Sequence, residues 1–206
     1  EVGDEAHLIS LGEQYALMGD MEAARKTWRR ILKVHDDKAT AWRLLAETYA
    51  AHDLPDEAVG AYRSAVEERP GDVGLLRSLA LAQERSDDRE GAVGTWERVH
   101  ALTPDDRGRR EARQWLVRLY GGLKRLPRMV EQWRSVFDRP ATLRRRLKST
   151  EGEELSVLQA EIEEALERGL EAGRLLAEGL ARLDRGAEAE EVLRRVLADA
   201  PGDIDT

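Results

Sequence analysis

Residues 39–72 read ATAWRLLAETYAAHDLPDEAVGAYRSAVEERPGD, and residues 73–106 read VGLLRSLALAQERSDDREGAVGTWERVHALTPDD. Both segments are 34 residues long, and residues 5–38 align with them at the same spacing. All three have leucine at position 7, an aromatic residue at position 24, and small residues at positions 8 and 20. These residues are Leu11, Leu45 and Leu79; Trp28, Tyr62 and Trp96; Gly12, Ala46 and Ala80; and Ala24, Ala58 and Ala92. The constant spacing indicates three copies of one structural unit.

Each copy has the pattern of two amphipathic helices. Apolar residues recur at i, i+3, i+4 and i+7 in each half, and turn residues such as Gly19-Asp20 and Asp53-Leu54-Pro55 separate the halves. Pro70 and Pro104 end the second helix, because proline cannot continue one. One helix pair buries little surface, whereas stacked pairs share a continuous core. The sequence therefore predicts an all-α solenoid of antiparallel helix pairs.

Two further copies follow with lower fidelity. Residues 110–143 form a degenerate copy with Met129 at a small-residue position, and residues 170–203 form a closer one. Between them, residues 144–169 fit no repeat register. Here we expect an irregular helix pair, over 141–148 and 151–168, that bridges the two copies.

The pattern large–x–x–Leu–Gly/Ala–x–x–Tyr, then Ala, an aromatic residue and Pro, resembles the tetratricopeptide repeat family. The resemblance implies a single array that forms a right-handed superhelix and binds proteins rather than catalysing a reaction. The repeat register at Gly3-Asp4 and Gly202-Asp203 predicts that the array continues on both sides, as in a fragment of a longer protein. Uncapped ends of this kind favour self-association. The excess of arginine over lysine (28 to 5) indicates a bacterial source.

The resemblance also implies a partner groove lined by the first helix of each pair. Mapped onto this sequence, that groove contains apolar residues and both signs of charge, which suits an extended peptide or an amphipathic helix as ligand. The predicted groove residues are Ile9, Glu13, Leu17, Arg43, Glu47, Arg77, Leu81, Gln114, Arg118 and Arg174. An alternative is a structural or regulatory arm of a larger enzyme whose catalytic domain lies elsewhere.

The charge along the chain alternates in sign. Residues 1–106 carry 13 Lys+Arg and 22 Asp+Glu (net −9), residues 107–148 carry 14 and 3 (net +11), and residues 151–206 carry 6 and 16 (net −10). The middle block predicts a basic patch with three readings: solvated or paired with the following glutamates, bound to an acidic protein, or weakly bound to nucleic acid. The acidic flanks disfavour nucleic acid. The patch residues are Arg109, Arg110, Arg113, Arg144, Arg145 and Arg146.

No pattern for catalysis or for a cofactor is present in the sequence. There is no cysteine, and the four histidines (His7, His35, His52 and His100) lack the spacing of metal ligands. We therefore predict no catalytic site, no cofactor and no metal. No apolar run is long enough to span a membrane and no signal peptide is visible, so a cytoplasmic location is the expectation.

Overall fold

The computed structural model describes residues 2–150 and 154–200, and this part of the chain is helical with no strand. The helices are α1 Val2–Leu17, α2 Met21–Trp28, α3 Ile31–Val34, α4 Lys38–Ala51, α5 Pro55–Glu68, α6 Val73–Arg85, α7 Arg89–Leu102, α8 Asp106–Gly122, α9 Leu126–Leu147, α10 Glu154–Arg182 and α11 Gly186–Asp199. The predicted all-α class is confirmed. None of these helices is both long and apolar enough to cross a bilayer.

The chain divides into two compact units, residues 1–105 and residues 106–206. Each is described by itself below. The single array and the right-handed superhelix predicted for the whole chain involve both units and stay predictions. The continuation of the array on both sides also stays a prediction, and Gly202-Asp203 lies outside the described residues.

The first unit consists of three helix hairpins, which fall on the three 34-residue segments. Helix α1 pairs with α2 and α3, α4 with α5, and α6 with α7. The position-24 aromatics Trp28, Tyr62 and Trp96 are buried between the helices, with Trp28 and Trp96 fully inaccessible. The small residues at positions 8 and 20 are buried beside them, as the spacing predicts.

The turn inside each helix pair has the same geometry in all five copies. Position 15 of each copy has a positive φ, between 55° and 83°, and the next N–H donates to the carbonyl five residues earlier at 2.8–3.0 Å. This bond ends the first helix in the manner of a Schellman motif. The position-15 residues are Gly19, Asp53, Asp87, Lys124 and Asp184. The shared turn supports the repeat register even in the two copies whose sequences have diverged.

Lys124 is the least suitable of these five residues for a left-handed conformation. Its φ of 56° brings the Cβ close to the following carbonyl, a strain that glycine does not have. We expect Lys124→Gly to raise the free energy of unfolding by about 0.5–1 kcal/mol, measured by urea denaturation. The matched change Gly19→Ala, at a φ of 83°, should lower it by a similar amount. A destabilising Lys124→Gly would contradict the strain argument.

The second unit departs from the predicted layout between the two diverged copies. Residues 141–147 continue α9 through Pro140 instead of starting a new helix, and 154–168 form the first half of the uninterrupted helix α10. The predicted separate pair over 141–148 and 151–168 is therefore wrong in its helix boundaries; residues 151–153 lie outside the described part. On α9, Val136 is 36% exposed, while the neighbouring Phe137 is buried.

Close packing of α9 against α10 explains these long helices. A Cβ placed on Gly169 would lie 3.2 Å from the Pro140 ring, and one on Gly179 would lie 2.8 Å from Val130. At Gly173, the nearest atoms would be Val196 Cγ2 at 2.6 Å and the Phe137 ring at 2.8 Å. A proline inside a helix costs about 3 kcal/mol, and burial of the Pro140 ring against α10 offsets part of this cost.

Candidate functional site

The first unit has a small cleft where α4, α5 and α6 meet. The first helices α4 and α6 supply its walls and the second helix α5 supplies its floor, because the position-8 and position-20 residues allow these helices to approach closely. Its cavity volume is ≈ 130 Å³. The lining residues are Ala50, Pro55, Ala58, Tyr62, Ser78, Leu81, Ala82 and Arg85. Leu81 is 42% exposed, so the cleft presents an apolar side chain to solvent.

Tyr62 places one polar group in this mostly apolar floor. Burial raises the pKa of its hydroxyl above the usual value, and the Glu47 carboxylate adds to the increase. A hydrogen bond with the Ser78 side chain and the positive charges of Arg43 and Arg85 oppose the increase. The hydroxyl therefore stays protonated over the physiological pH range.

Charges of both signs lie near the cleft. Arg43 Nη1 lies 2.7 Å from Glu47 Oε1, one helical turn away on α4. Arg85 Nη2 donates to the Ala50 carbonyl oxygen at 3.2 Å and lies 3.8 Å from Asp53 Oδ1. The site can therefore offer an apolar contact with hydrogen-bonding groups on either side.

The predicted groove residues of the first unit fall into two groups. Leu81 lines the cleft, the charges of Arg43 and Glu47 act on the Tyr62 hydroxyl, and Arg77 is half-buried on the same helix as Leu81. On α1, Glu13 is exposed and Leu17 is 89% exposed, away from the cleft lining. Ile9 was expected to face a partner, but its side chain packs against the core cluster of Leu8, Ile31 and Ala41.

The groove residues predicted in the second unit have different environments. Gln114 is exposed, and the Arg118 guanidinium lies 4.5 Å from the centre of the Trp115 ring. Arg174 is only 8% exposed, and its Nη1 lies 2.5 Å from Glu171 Oε1. The prediction that Arg174 presents its charge to a partner is wrong, because the side chain is buried in an ion-pair cluster.

The predicted basic patch is not one exposed surface. Arg113 is 4% exposed, and its guanidinium lies 3.0 Å from Glu171 Oε2 and 3.5 Å from Glu178 Oε1. Arg109 also contacts Glu171, at 3.8 Å, and Arg110 lines a ≈ 230 Å³ cavity next to Arg113. Burial of Arg113 excludes it from a phosphate-binding surface.

The second half of the patch is exposed but partly paired. Arg144 Nη1 lies 3.2 Å from Asp199 Oδ1, and Arg145 Nε donates to the Ala141 carbonyl. Arg146 lines a small pocket together with Glu154 and Glu161. Glu171, one of the glutamates that follow the basic block, contacts Arg113 on α8.

The histidines occupy structural positions. His35 and His52 follow the last residues of α3 and α4, and the His52 ring stacks on Trp28 at 4.5 Å between centroids. His35 Nδ1 accepts the Asp37 N–H at 3.1 Å. Within the described ranges, no group of three or more His, Asp or Glu side chains is placed to hold a metal ion.

Sequence reasoning missed two contributors to the cleft. Tyr62 and Ser78 lie outside the positions that the groove mapping used, since Tyr62 is on a second helix and was assigned only to the core. One signal was present in the sequence. Copies one and three have Trp at position 24, whereas copy two has Tyr62, whose hydroxyl needs a polar partner when buried.

Comparison with known proteins identifies the repeat. A family model described as tetratricopeptide repeat matches residues 11–73. No curated protein sequence matches the chain. Among solved structures, a MamA RS-1 double mutant aligns over 100% of both chains, with 14% identity and a TM-score of 0.49. A putative kinesin light chain from Podosopora anserina aligns over 98% of this chain and 97% of its own, with 18% identity and a TM-score of 0.47.

A third structure is described as YrrB, a TPR protein with an unusual peptide-binding site, and it aligns over 97% of this chain and 88% of its own (16% identity, TM-score 0.46). All three alignments score below 0.5, so the assignment rests on the family model and on the repeat register. The residues that the family model matches include the second helix of copy one and all of copy two, which form the hairpins and shared turns described above. The chain is therefore an all-α protein whose residues 11–73 belong to the tetratricopeptide repeat family.

Proposed function

We propose that this chain is a protein-interaction module that binds an extended segment or an amphipathic helix of a partner protein at the cleft between α4 and α6. The single observation that carries the proposal is the exposed Leu81 beside an apolar cavity whose floor holds the Tyr62 hydroxyl. Members of the tetratricopeptide repeat family generally mediate protein–protein interaction, which is the class of function that this site suits.

The dimensions and the chemistry of the cleft support a peptide ligand. A cavity of about 150 Å³ in another protein holds benzene, so ≈ 130 Å³ admits one apolar side chain of the partner. The Tyr62 hydroxyl and the Arg85 guanidinium can hydrogen-bond the partner's carbonyl or carboxylate oxygens on either side of that side chain. These features define the partner's recognition element as one apolar anchor flanked by hydrogen-bond acceptors.

The proposal predicts that changing Leu81 and Arg85 removes binding. Peptides selected from a random display library on the wild-type chain should bind the variant Leu81→Asp/Arg85→Glu at least about tenfold more weakly by calorimetry. The control Leu197→Asp/Arg194→Glu changes a similarly exposed Leu–Arg pair on α11 and should bind as the wild type does. Selected peptides that bind both variants equally would refute the cleft as the binding site, as would a selection that yields no saturable binder.

A further inference from the structure

The first unit carries one basic helix face within an otherwise acidic unit. Five of the 13 Lys+Arg of residues 1–106 lie within nine residues, on α2, on α3 and on the two residues that join them. They surround an open surface depression of ≈ 600 Å³. Its lining residues are Glu22, Arg25, Lys26, Arg29, Arg30 and Lys33, which gives a local charge of +5 − 1 = +4 against −9 for the segment.

The partners of these cations differ in a way that indicates a ligand. Arg25 Nη2 lies 2.7 Å from Glu57 Oε1, and Arg29 Nε donates to the Tyr49 hydroxyl at 3.2 Å. In contrast, Lys26, Arg30 and Lys33 have neither an ion pair nor a side-chain hydrogen bond within residues 2–150 and 154–200. The two tethered guanidiniums are held in place in advance, which lowers the entropic cost of using them in binding.

We infer that this basic face, defined by the six lining residues above, binds an acidic polypeptide segment. In a segment with 22 carboxylates (residues 1–106), three cations that remain unpaired on one face are complementary to negative charge from outside. The arginines can hold carboxylates with two parallel hydrogen bonds, whereas the lysines add charge without a fixed geometry. The face is separate from the cleft residues, so the inference goes beyond the proposed function.

Helix geometry also suggests the spacing of the acidic residues. Residues four apart on a helix are separated by about 6 Å along its axis, as Arg25 on α2 and Arg29 at its C-terminal end are. Side chains on the same side of an extended chain are separated by about 6.6 Å. An extended segment with acidic residues at alternate positions therefore matches the Arg25–Arg29 pair, and a third acidic residue, as in Glu-x-Glu-x-Glu, adds attraction to Arg30 and to Lys33 on α3.

A nucleic acid fits this face less well. The lining residues include no aromatic ring on which a base could stack. The net charge of −9 over the same segment would also repel a long polyanion. A short acidic peptide has to face only the basic residues.

The test is fluorescence anisotropy of a labelled peptide Gly-Glu-Ala-Glu-Ala-Glu-Gly with the full chain at low salt. We expect saturable binding that weakens at least about tenfold in Arg30→Glu/Lys33→Glu and is lost when the peptide glutamates become glutamine. The control Arg168→Glu/Arg194→Glu makes the same change in net charge at exposed α10 and α11 positions, and should stay within about twofold of wild type.

Three outcomes would overturn the inference. The first is the absence of saturable binding, and the second is an equal loss of affinity in both double variants, which would indicate only a net-charge effect. The third is tighter binding of a labelled oligothymidine of the same charge, which would assign the face to nucleic acid. Circular dichroism of each variant establishes that the helices are retained. Failure here leaves the cleft proposal intact, because Leu81 and Arg85 are unchanged.

Discussion

Gly12→Ala should destabilise the first unit by about 3 kcal/mol. A Cβ at this position would lie 2.1 Å from Trp28 Nε1 and 2.4 Å from Trp28 Cδ1, well inside contact distance. The Trp28 ring has no room to move, since it is fully buried, stacks on His52 and meets Tyr49 edge-on at 6.1 Å. Overpacking of this kind costs about 1–3 kcal/mol. Displacement of the ring also breaks its hydrogen bond to the Ile9 carbonyl, at about 1 kcal/mol.

The measurement is urea unfolding followed by far-ultraviolet circular dichroism. Gly60→Ala provides the matched control, because Gly60 lies inside α5 and a Cβ there meets no atom within 4 Å. That change should stabilise the chain by about 0.5–1 kcal/mol, since alanine is the better helix former. If Gly12→Ala were as stable as the wild type, then α1 would not lie against Trp28 as described.

Gly12 also shows how far the sequence predicts the packing. The 34-residue register predicts a small residue here and an aromatic residue at Trp28, and both are buried where expected. It does not predict that copy one needs glycine while copies two and three have Ala46 and Ala80 at the same position. That difference depends on the ring orientation of Trp28, which is set by His52 in the next hairpin.

Helix boundaries were predictable where turn residues and helix periodicity agree. The turn falls at position 15 of every copy, and most copies have a residue there, such as Gly19 or Asp53, that tolerates a positive φ. The C-terminal end of α9 was not predictable in this way. Proline usually ends a helix, and only the tertiary contact with Gly169 on α10 explains why α9 continues.

The candidate site was predictable in part. The groove positions that the family resemblance implies include Leu81, which lines the cleft, and Arg43 and Glu47, whose charges act on the Tyr62 hydroxyl. Burial of charged residues does not follow from periodicity. Arg113 is buried because Glu171 and Glu178 lie opposite, 58 and 65 residues away in sequence, and a count of charges by segment cannot reveal this pairing. Arg174 pairs with Glu171 from one turn further along α10.

Arg113→Ala should destabilise the second unit by about 3 kcal/mol. Its side chain is 4% exposed and bridges Glu171 on one side and Glu178 on the other, both on α10. Truncation leaves those carboxylates short of a partner in a partly dry environment, and breaking a buried pair from one side costs about 3–5 kcal/mol. We expect the lower end of this energy range, because Glu171 retains its ion pair with Arg174 and is 25% exposed.

Two further variants separate burial from charge. Arg145→Ala removes the same charge from an exposed position of the same predicted basic patch, and should change stability by less than about 0.5 kcal/mol. Arg113→Lys keeps the charge but loses the planar fork that reaches two carboxylates, so an intermediate loss is expected. Because a buried pair is screened weakly, the difference between Arg113→Ala and Arg145→Ala should persist in high salt. Equal effects of the two alanine variants would mean that Arg113 is a solvated surface residue, and would reopen the polyanion interpretation of the basic patch.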